Sequence, residues 1–130
     1  MNEPIWIAKA AVLALHEEQL AEHGGPSGLR DEGLLDSALD RPKNQFSYGN
    51  PDIYDLAAAY AHGIAKNHPF LDGNKRASFV VCETFLNLND CDLTAMDEKA
   101  LLAWMAMVEG EITEAELAQW LRTNSTTAAA

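Results

Sequence analysis

The sequence predicts an all-α fold, a compact single-domain bundle of about six helices. Alanine (21 residues) and leucine (16) far outnumber valine and isoleucine together (9), and unbranched side chains lose little rotamer freedom in a helix. The 130 residues, 48% hydrophobic and 22% charged, are typical of one globular domain. Apolar residues recur at helical spacing in six segments that glycines, prolines or capping residues separate.

The first predicted helix covers about residues 5–22 and ends before two consecutive glycines. Its apolar face contains four residues, Ile5, Ala8, Val12 and Leu15. Asp31 is the expected N-cap of a short second helix, which we expect to end at Pro42. Residues 42–51 contain two prolines, a glycine and two asparagines, so they are predicted to form a loop.

The third helix has the clearest pattern, because six apolar residues follow the spacing of one buried face: Ile53, Leu56, Ala57, Tyr60, Ala61 and Ile64. We expect it to end near Asn67, since Pro69 disfavours helical geometry at the residue before it. The fourth helix, about residues 74–88, is apolar nearly all round. That pattern predicts the central and most buried helix of the bundle.

Two further helices complete the predicted domain, residues 1–123. Asp97 is the expected cap of the fifth helix, and its inward face is predicted to contain Leu101, Leu102, Met105 and Val108. Thr113 and Glu116 form a capping box that opens the sixth helix. Residues 124–130 are predicted to be a flexible tail.

The composition argues against several classes of function. The formal net charge is −11, from 20 acidic and 9 basic residues, and an acidic chain repels nucleic-acid phosphates and anionic lipid. No apolar stretch approaches the ~20 residues of a membrane span, and the start lacks the cations of a signal peptide. Two cysteines, Cys82 and Cys91, are too few for a disulfide framework. We therefore expect a reduced cytoplasmic protein that contacts neither nucleic acid nor membrane.

Residues 68–76, HPFLDGNKR, carry the chemistry, and we expect them in the loop that joins two central helices. Lys75 and Arg76 stand at a helix N-terminus, the end where the macrodipole disfavours cations. Their position makes sense if an anion binds the backbone N–H groups there. Gly73 would let the backbone approach that anion closely. The pattern predicts a phosphate site, although the Walker spacing is absent ahead of Lys75.

Two more motif residues are of the types that phosphate transfer requires, a metal ligand and a general base. Asp72 places a carboxylate where a magnesium ion bridging to phosphate needs one, and His68 can act as a general base near neutral pH. The alternative is a plain helix–loop–helix connection in which Pro and Gly end the helices and His68 caps one of them.

The nine-residue stretch resembles the signature of Fic-fold proteins, specifically of the Doc (death-on-curing) toxin branch. The resemblance covers roughly residues 8–110. It includes these residues outside the motif: His16-Glu17, Gly24-Gly25, Gly28-Leu29-Arg30, Leu34, Leu35, Ala38, Arg41-Pro42, Tyr48 and the run from Leu56 to Ala65. It implies a compact all-α bundle with the motif between two central helices.

The resemblance also implies an activity that uses ATP and Mg²⁺. Fic proteins transfer part of a nucleotide, usually AMP from ATP, to a hydroxyl side chain of a target protein. By that likeness His68 is the base and Asp72 the metal ligand. Gly73 and Asn74 form the anion hole, and Arg76 contacts phosphate.

Two departures change the predicted reaction. AMP-transferring Fic enzymes have glycine in place of Lys75 and a second arginine in place of Phe79, whose ring we expect in the core. In Doc proteins the same lysine accompanies a reversed nucleotide, so that the γ-phosphate is transferred. The resemblance therefore predicts a protein kinase toxin with elongation factor Tu as its target, which blocks translation. AMP transfer and a catalytically silent, partner-binding Fic scaffold remain the alternatives, and the intact motif argues against the scaffold.

Regulation and target docking are also implied by the resemblance. The inhibitory pattern [S/T]-x-x-x-E-[G/N] of many Fic proteins is absent from the sequence. Inhibition is then expected from another chain, as with the small antitoxin partner of Doc toxins, whose C-terminal segment folds into a groove on the toxin. Lys43, Phe46 and Tyr48, in the predicted loop, are expected to form a flap that aligns the target segment.

Overall fold

Six α-helices carry most of residues 2–127, the part of the chain that the computed structural model describes. They are α1 (Lys9–His23), α2 (Glu32–Tyr48), α3 (Ile53–Asn67), α4 (Asn74–Leu88), α5 (Asp97–Val108) and α6 (Glu114–Thr123). Two short strands, β1 (Cys91–Leu93) and β2 (Ser125–Thr127), pair antiparallel. The all-α prediction is confirmed, with a very small sheet added to it.

Helix α3 forms the centre of the bundle and packs against α2, α4 and α6. Nine of its 15 residues are buried, against seven of the 15 in α4, so the prediction that the fourth helix is the most buried was wrong. The reason is that α3 has alanines on several sides, which let its neighbours approach, whereas the first turn of α4 exposes two cations. Asp52 opens α3 with a capping box.

Helices α2 and α3 come close together at Gly63. A Cβ added there would lie 3.3 Å from both Cα and Cβ of Ala38, so the two backbones would have to separate. We expect Gly63→Val to lower the free energy of unfolding by roughly 1–3 kcal/mol, the usual cost of overpacking. Urea unfolding followed by circular dichroism measures this, and an unchanged midpoint would contradict the close approach.

Helix α1 begins four residues later than predicted, because the chain before it is extended. The side chain of Asn89 accepts a hydrogen bond from the N–H of Ile5 at 2.8 Å and donates one to its carbonyl at 3.0 Å. These bonds hold Ile5 outside the helix and leave it exposed. The buried face of α1 is instead formed by Val12, His16 and Leu20.

Helix α2 does not stop at Pro42, so the predicted stop and the predicted loop over residues 42–48 were wrong. Asp31 caps the helix as predicted, accepting from the N–H of Leu34 at 3.0 Å. Contacts on both sides of the proline stabilise the continuation: Arg41 Nε and Gln45 Nε2 donate to Glu114 of α6 at 3.0 and 2.8 Å. A proline removes one helical hydrogen bond, and these contacts outweigh that loss.

Helix α5 is rotated relative to the prediction. Met96 is its N-cap residue and makes no side-chain capping bond, so Asp97 is the first helical residue rather than the cap. The side chains facing the core are Ala100, Ala103, Trp104 and Met107. The four predicted to face inward, Leu101, Leu102, Met105 and Val108, are exposed. Trp104 determines this orientation, because its large ring is almost fully buried and its Nε1 donates to Ser78 Oγ at 3.0 Å.

The C-terminal segment differs from the predicted tail. The capping box of Thr113 and Glu116 opens α6 as predicted, but Ser125–Thr127 then form β2 against β1. The backbone N–H and the hydroxyl of Thr94 both donate to the carbonyl of Asn124, at 2.7 and 2.9 Å. These long-range bonds order residues whose local sequence gives no strand signal, while residues 128–130 lie outside the described chain.

No helix within residues 2–127 is long and apolar enough to cross a membrane.

Candidate active site

The motif loop joins the C-terminus of α3 to the N-terminus of α4, as the sequence predicts. His68 is the C-cap of α3 and has left-handed backbone geometry (φ 49°, ψ 56°) with an exposed side chain. Gly73 is the N-cap of α4 and is also left-handed (φ 77°). One short loop therefore has the His68 imidazole at its start and the first turn of α4 at its end.

The first turn of α4 is open to an anion. Gly73 provides no side-chain capping bond, and the N–H groups of Asn74, Lys75 and Arg76 have no backbone acceptor within residues 2–127. Such N–H groups carry the positive end of the helix dipole. A phosphate group can therefore accept from several of them together.

The side chain of Asn74 does not belong to this anion hole, although the sequence resemblance places the residue there. It is buried, and its Oδ1 accepts from the N–H of Phe70 at 3.0 Å while its Nδ2 donates to the carbonyl of Phe70 at 3.0 Å. Both functions of the amide are thus used to close the loop. What Asn74 can offer a phosphate is its backbone N–H.

Lys75 and Arg76 remain available for a ligand. Both side chains are exposed, and neither forms an ion pair with a carboxylate in the described residues. They lie at the rim of a cavity of about 280 Å³ between α1, α4 and α5. The other residues lining it are Gln19, His23, Phe79, Val80, Asp97, Ala100, Leu101 and Trp104. In a chain of net charge −11, two adjacent cations without a partner favour an anionic ligand.

Phe79 lies one turn after Arg76 and is partly buried. Its ring meets the Trp104 ring edge-on, with the centroids 4.8 Å apart. The aromatic contact confirms its expected packing role, and the position offers no cation to a phosphate.

The carboxylate of Asp72 is exposed and lies close to the backbone of Gly25. A Cβ at Gly25 would lie 2.5 Å from Asp72 Oδ2, so the glycine leaves the room that this carboxylate occupies. No cluster of three or more metal-ligating side chains occurs in residues 2–127. One carboxylate beside the open N-terminus of α4 is a donor set that would suit Mg²⁺, which is commonly bound by one or two carboxylates together with substrate phosphates.

His16 contacts the motif, a contact that the sequence interpretation missed. It is buried, its ring stacks on Phe70 with the centroids 3.7 Å apart, and its Nε2 donates to the carbonyl of Asp72 at 2.8 Å. The signal for its burial was its spacing, four residues from both Val12 and Leu20 on the same helix face.

Lys43, Phe46 and Tyr48 lie on the last turns of α2, and no flap-like loop is present there. The Phe46 ring packs edge-on against Trp6 at 5.8 Å. Tyr48 is 91% exposed and borders a different cavity, together with Asp55 and Glu114. The structure therefore does not bring these three side chains together with the motif.

The cysteines offer no competing nucleophile. Cys82 and Cys91 are both free and buried, and burial raises the pKa of each thiol. A buried thiol stays protonated and unreactive, so neither cysteine is expected to act as a nucleophile.

Comparison with known proteins identifies the fold family. The model of the Fic/DOC family matches residues 6–86, which include α1 to α3, the motif and most of α4. The chain is 43% identical over 75 residues to "Toxin Doc" of Mycolicibacterium smegmatis, a match covering 55% of this chain and 57% of that protein. It is 28% identical over 117 residues to "Protein kinase doc" of Escherichia phage P1, covering 89% and 92%. From the family match and the motif at the junction of its two central helices, we conclude that the chain belongs to the Fic/DOC family.

Proposed function

We propose that this protein is the toxin of a toxin–antitoxin pair and that it transfers the γ-phosphate of Mg-ATP to a hydroxyl side chain of a target protein. The observation that carries the proposal is the motif junction: one short loop carries an exposed imidazole and an exposed carboxylate, and the uncapped first turn of α4 that follows it carries two cations without a carboxylate partner in residues 2–127. The names of the two relatives, a toxin and a protein kinase, agree with it.

Each group has one role in the proposed reaction. His68 accepts the proton of the target hydroxyl as its oxygen attacks the γ-phosphorus. The bond from that phosphorus to the β–γ bridging oxygen breaks, and ADP leaves. Lys75, Arg76 and the N–H groups of the first α4 turn bind the phosphate oxygens and stabilise their charge. Asp72 holds the magnesium, which when bound neutralises phosphate charge.

Two residues favour γ-phosphate transfer over AMP transfer. Lys75 adds bulk and charge where AMP-transferring relatives have glycine, and Phe79 replaces their second arginine. Because the Phe79 ring is packed against Trp104, it leaves no phosphate ligand at that position. A triphosphate is then expected to lie differently from its position in an AMP-transferring enzyme.

The decisive experiment uses Mg-ATP labelled at either the α or the γ phosphate, with purified elongation factor Tu and with bacterial extract. Transfer of γ label alone, lost in His68→Ala, supports the kinase and the role of the base. Transfer of α label would instead show AMP transfer. Growth arrest without transfer of either label would favour the silent scaffold.

The partner proposed to restrain this activity is a small antitoxin, bound at the cavity between α1, α4 and α5. The cavity is lined mainly by apolar groups, and the exposed Leu101, Met105 and Val108 extend the apolar surface along α5. Lys75 and Arg76 border the same cavity, so a segment bound there would also cover the phosphate site. Expression of this chain alone should arrest growth, and co-expressed antitoxin should relieve the arrest. Free growth during expression alone would contradict the pairing.

The fit between Gly25 and Asp72 gives a prediction about magnesium. We expect Gly25→Ala to displace the Asp72 carboxylate and to raise the magnesium concentration needed for half-maximal transfer roughly 10-fold, as for loss of a ligand-orienting contact. Gly24→Ala is the control, because Gly24 (φ 80°) and Gly25 (φ 120°) both have a positive φ, but a Cβ added at Gly24 would meet nothing within 4 Å. Equal magnesium dependence in the two variants would contradict the prediction.

A further inference from the structure

The motif loop is held from outside by residues 28–31, the segment that leads into α2. Leu29 and Phe70 form an isolated antiparallel bridge, and the N–H of Leu71 donates to the carbonyl of Gly28 at 3.1 Å. The N–H groups of Arg30 and Asp31 both donate to the carbonyl of Pro69, at 2.7 and 3.1 Å. This segment is therefore paired with the middle of the loop.

The side chain of Arg30 extends the pairing to the end of α3. Its Nε donates to the carbonyl of His68 at 2.7 Å, and its Nη2 donates to the carbonyl of Asn67 at 2.8 Å. Three consecutive carbonyls, those of Asn67, His68 and Pro69, thus accept hydrogen bonds from this one residue. Carbonyls at a helix C-terminus lack partners within the helix, and a cation there also complements the helix dipole.

These bonds act on a residue in an uncommon conformation. His68 has φ 49°, a region that side-chain-bearing residues seldom occupy. The direction of its imidazole depends on the peptide planes before and after it. The planar guanidinium holds the carbonyl oxygens of both planes at once, through two donors in a rigid geometry.

The side chain of Arg30 has a different kind of partner from those of Arg41 and Arg122. Arg41 and Arg122 form ion pairs with Glu114 and Asp52, whereas Arg30 pairs with no carboxylate in the described residues. Its hydrogen-bonding side-chain atoms both contact the backbone that carries His68.

We propose that Arg30 is the positioning residue of the general base: it fixes the backbone at His68 and so aims the imidazole at the target hydroxyl. The proposal rests on the proposed function in one respect, that His68 acts as the base. It assigns Arg30 no contact with nucleotide or target.

The test compares Arg30→Ala, Arg30→Lys and the control Arg41→Ala in the γ-phosphate transfer assay. We expect Arg30→Ala to lower kcat roughly 10- to 100-fold, the scale of a misplaced catalytic group, with KM for ATP within about twofold of wild type. The kcat of Arg30→Lys should lie between those of wild type and Arg30→Ala. An ammonium can donate to one of the two carbonyls but does not reproduce the paired donors of the guanidinium. Millimolar guanidinium should restore part of the rate to Arg30→Ala and none to His68→Ala. A kcat no lower than that of Arg41→Ala, or a loss expressed only in KM, would overturn the proposal.

A second readout does not depend on the transfer reaction. Amide hydrogen exchange at Leu71 and the NMR shifts of the His68 ring protons are compared in the same variants. We expect both to change in Arg30→Ala and to stay at wild-type values in Arg41→Ala. Unchanged values in Arg30→Ala would overturn the positioning role even if the proposed function stands. Changed values in a protein that transfers no phosphate would leave the positioning in place and contradict the kinase.

Discussion

Replacing His68 by asparagine is expected to lower the rate of phosphate transfer by about 10²- to 10⁴-fold, the usual contribution of a general base. Asparagine cannot accept the proton of the target hydroxyl. It is also among the residues that adopt left-handed geometry most readily, so the φ of 49° at this position should be kept. Because the side chain is exposed, the thermal midpoint should stay near the wild-type value.

The assay measures initial rates at saturating Mg-ATP and target, with the thermal midpoint of each variant. His62→Asn is the control, because His62 lies against Glu114 of α6, outside the motif, and this variant is expected to keep its rate. A rate loss in His68→Asn of less than about tenfold would mean that the proton leaves by another route, since general bases contribute more.

Local signals in the sequence predicted those features that are decided by a few neighbouring residues. The third helix ends before Pro69, the fourth begins after Gly73, and the capping box at Thr113 opens α6, all as expected. The position of the motif followed from the same signals, because a His-Pro pair ends one helix and a glycine opens the next. The predicted catalytic and binding roles of these residues stay predictions for the experiments above.

Features decided by distant contacts were missed. Pro42 is a strong local stop signal, but Glu114, more than 70 residues later, binds the side chains around it. Strand β2 forms because Ser125–Thr127 pair with β1. The buried face of α5 is set by the burial of the Trp104 ring in the core. The role of His16 at Asp72 likewise depends on the packing of α1 against the loop. Spacing along the chain can signal that a residue such as His16 is buried, but it does not show which distant residue it contacts.

The largest effect on stability in the site is expected from Asn74→Leu. The amide of Asn74 holds both backbone groups of Phe70, and both residues are buried. Leucine has a similar size but no polar atoms, so an N–H and a carbonyl would be left in the core without partners. Each such group costs about 1–3 kcal/mol, so the two together give a loss of roughly 2–6 kcal/mol in the free energy of unfolding. Urea unfolding measures this loss.

Asn89→Leu is the control for Asn74→Leu, because the half-buried Asn89 bonds both backbone groups of Ile5 in the same way, but Ile5 is exposed; Asn89 also donates to the carbonyl of Phe85 at 2.9 Å. Water can replace the lost partners there, and we expect a loss of only about 1 kcal/mol. Equal losses in the two variants would mean that burial of the Phe70 backbone contributes nothing. A wild-type urea midpoint in Asn74→Leu would show that the amide is not needed to close the loop, and the side chain would then be free to bind phosphate. A large loss confined to Asn74→Leu would instead leave the backbone N–H as the group that Asn74 offers to a phosphate.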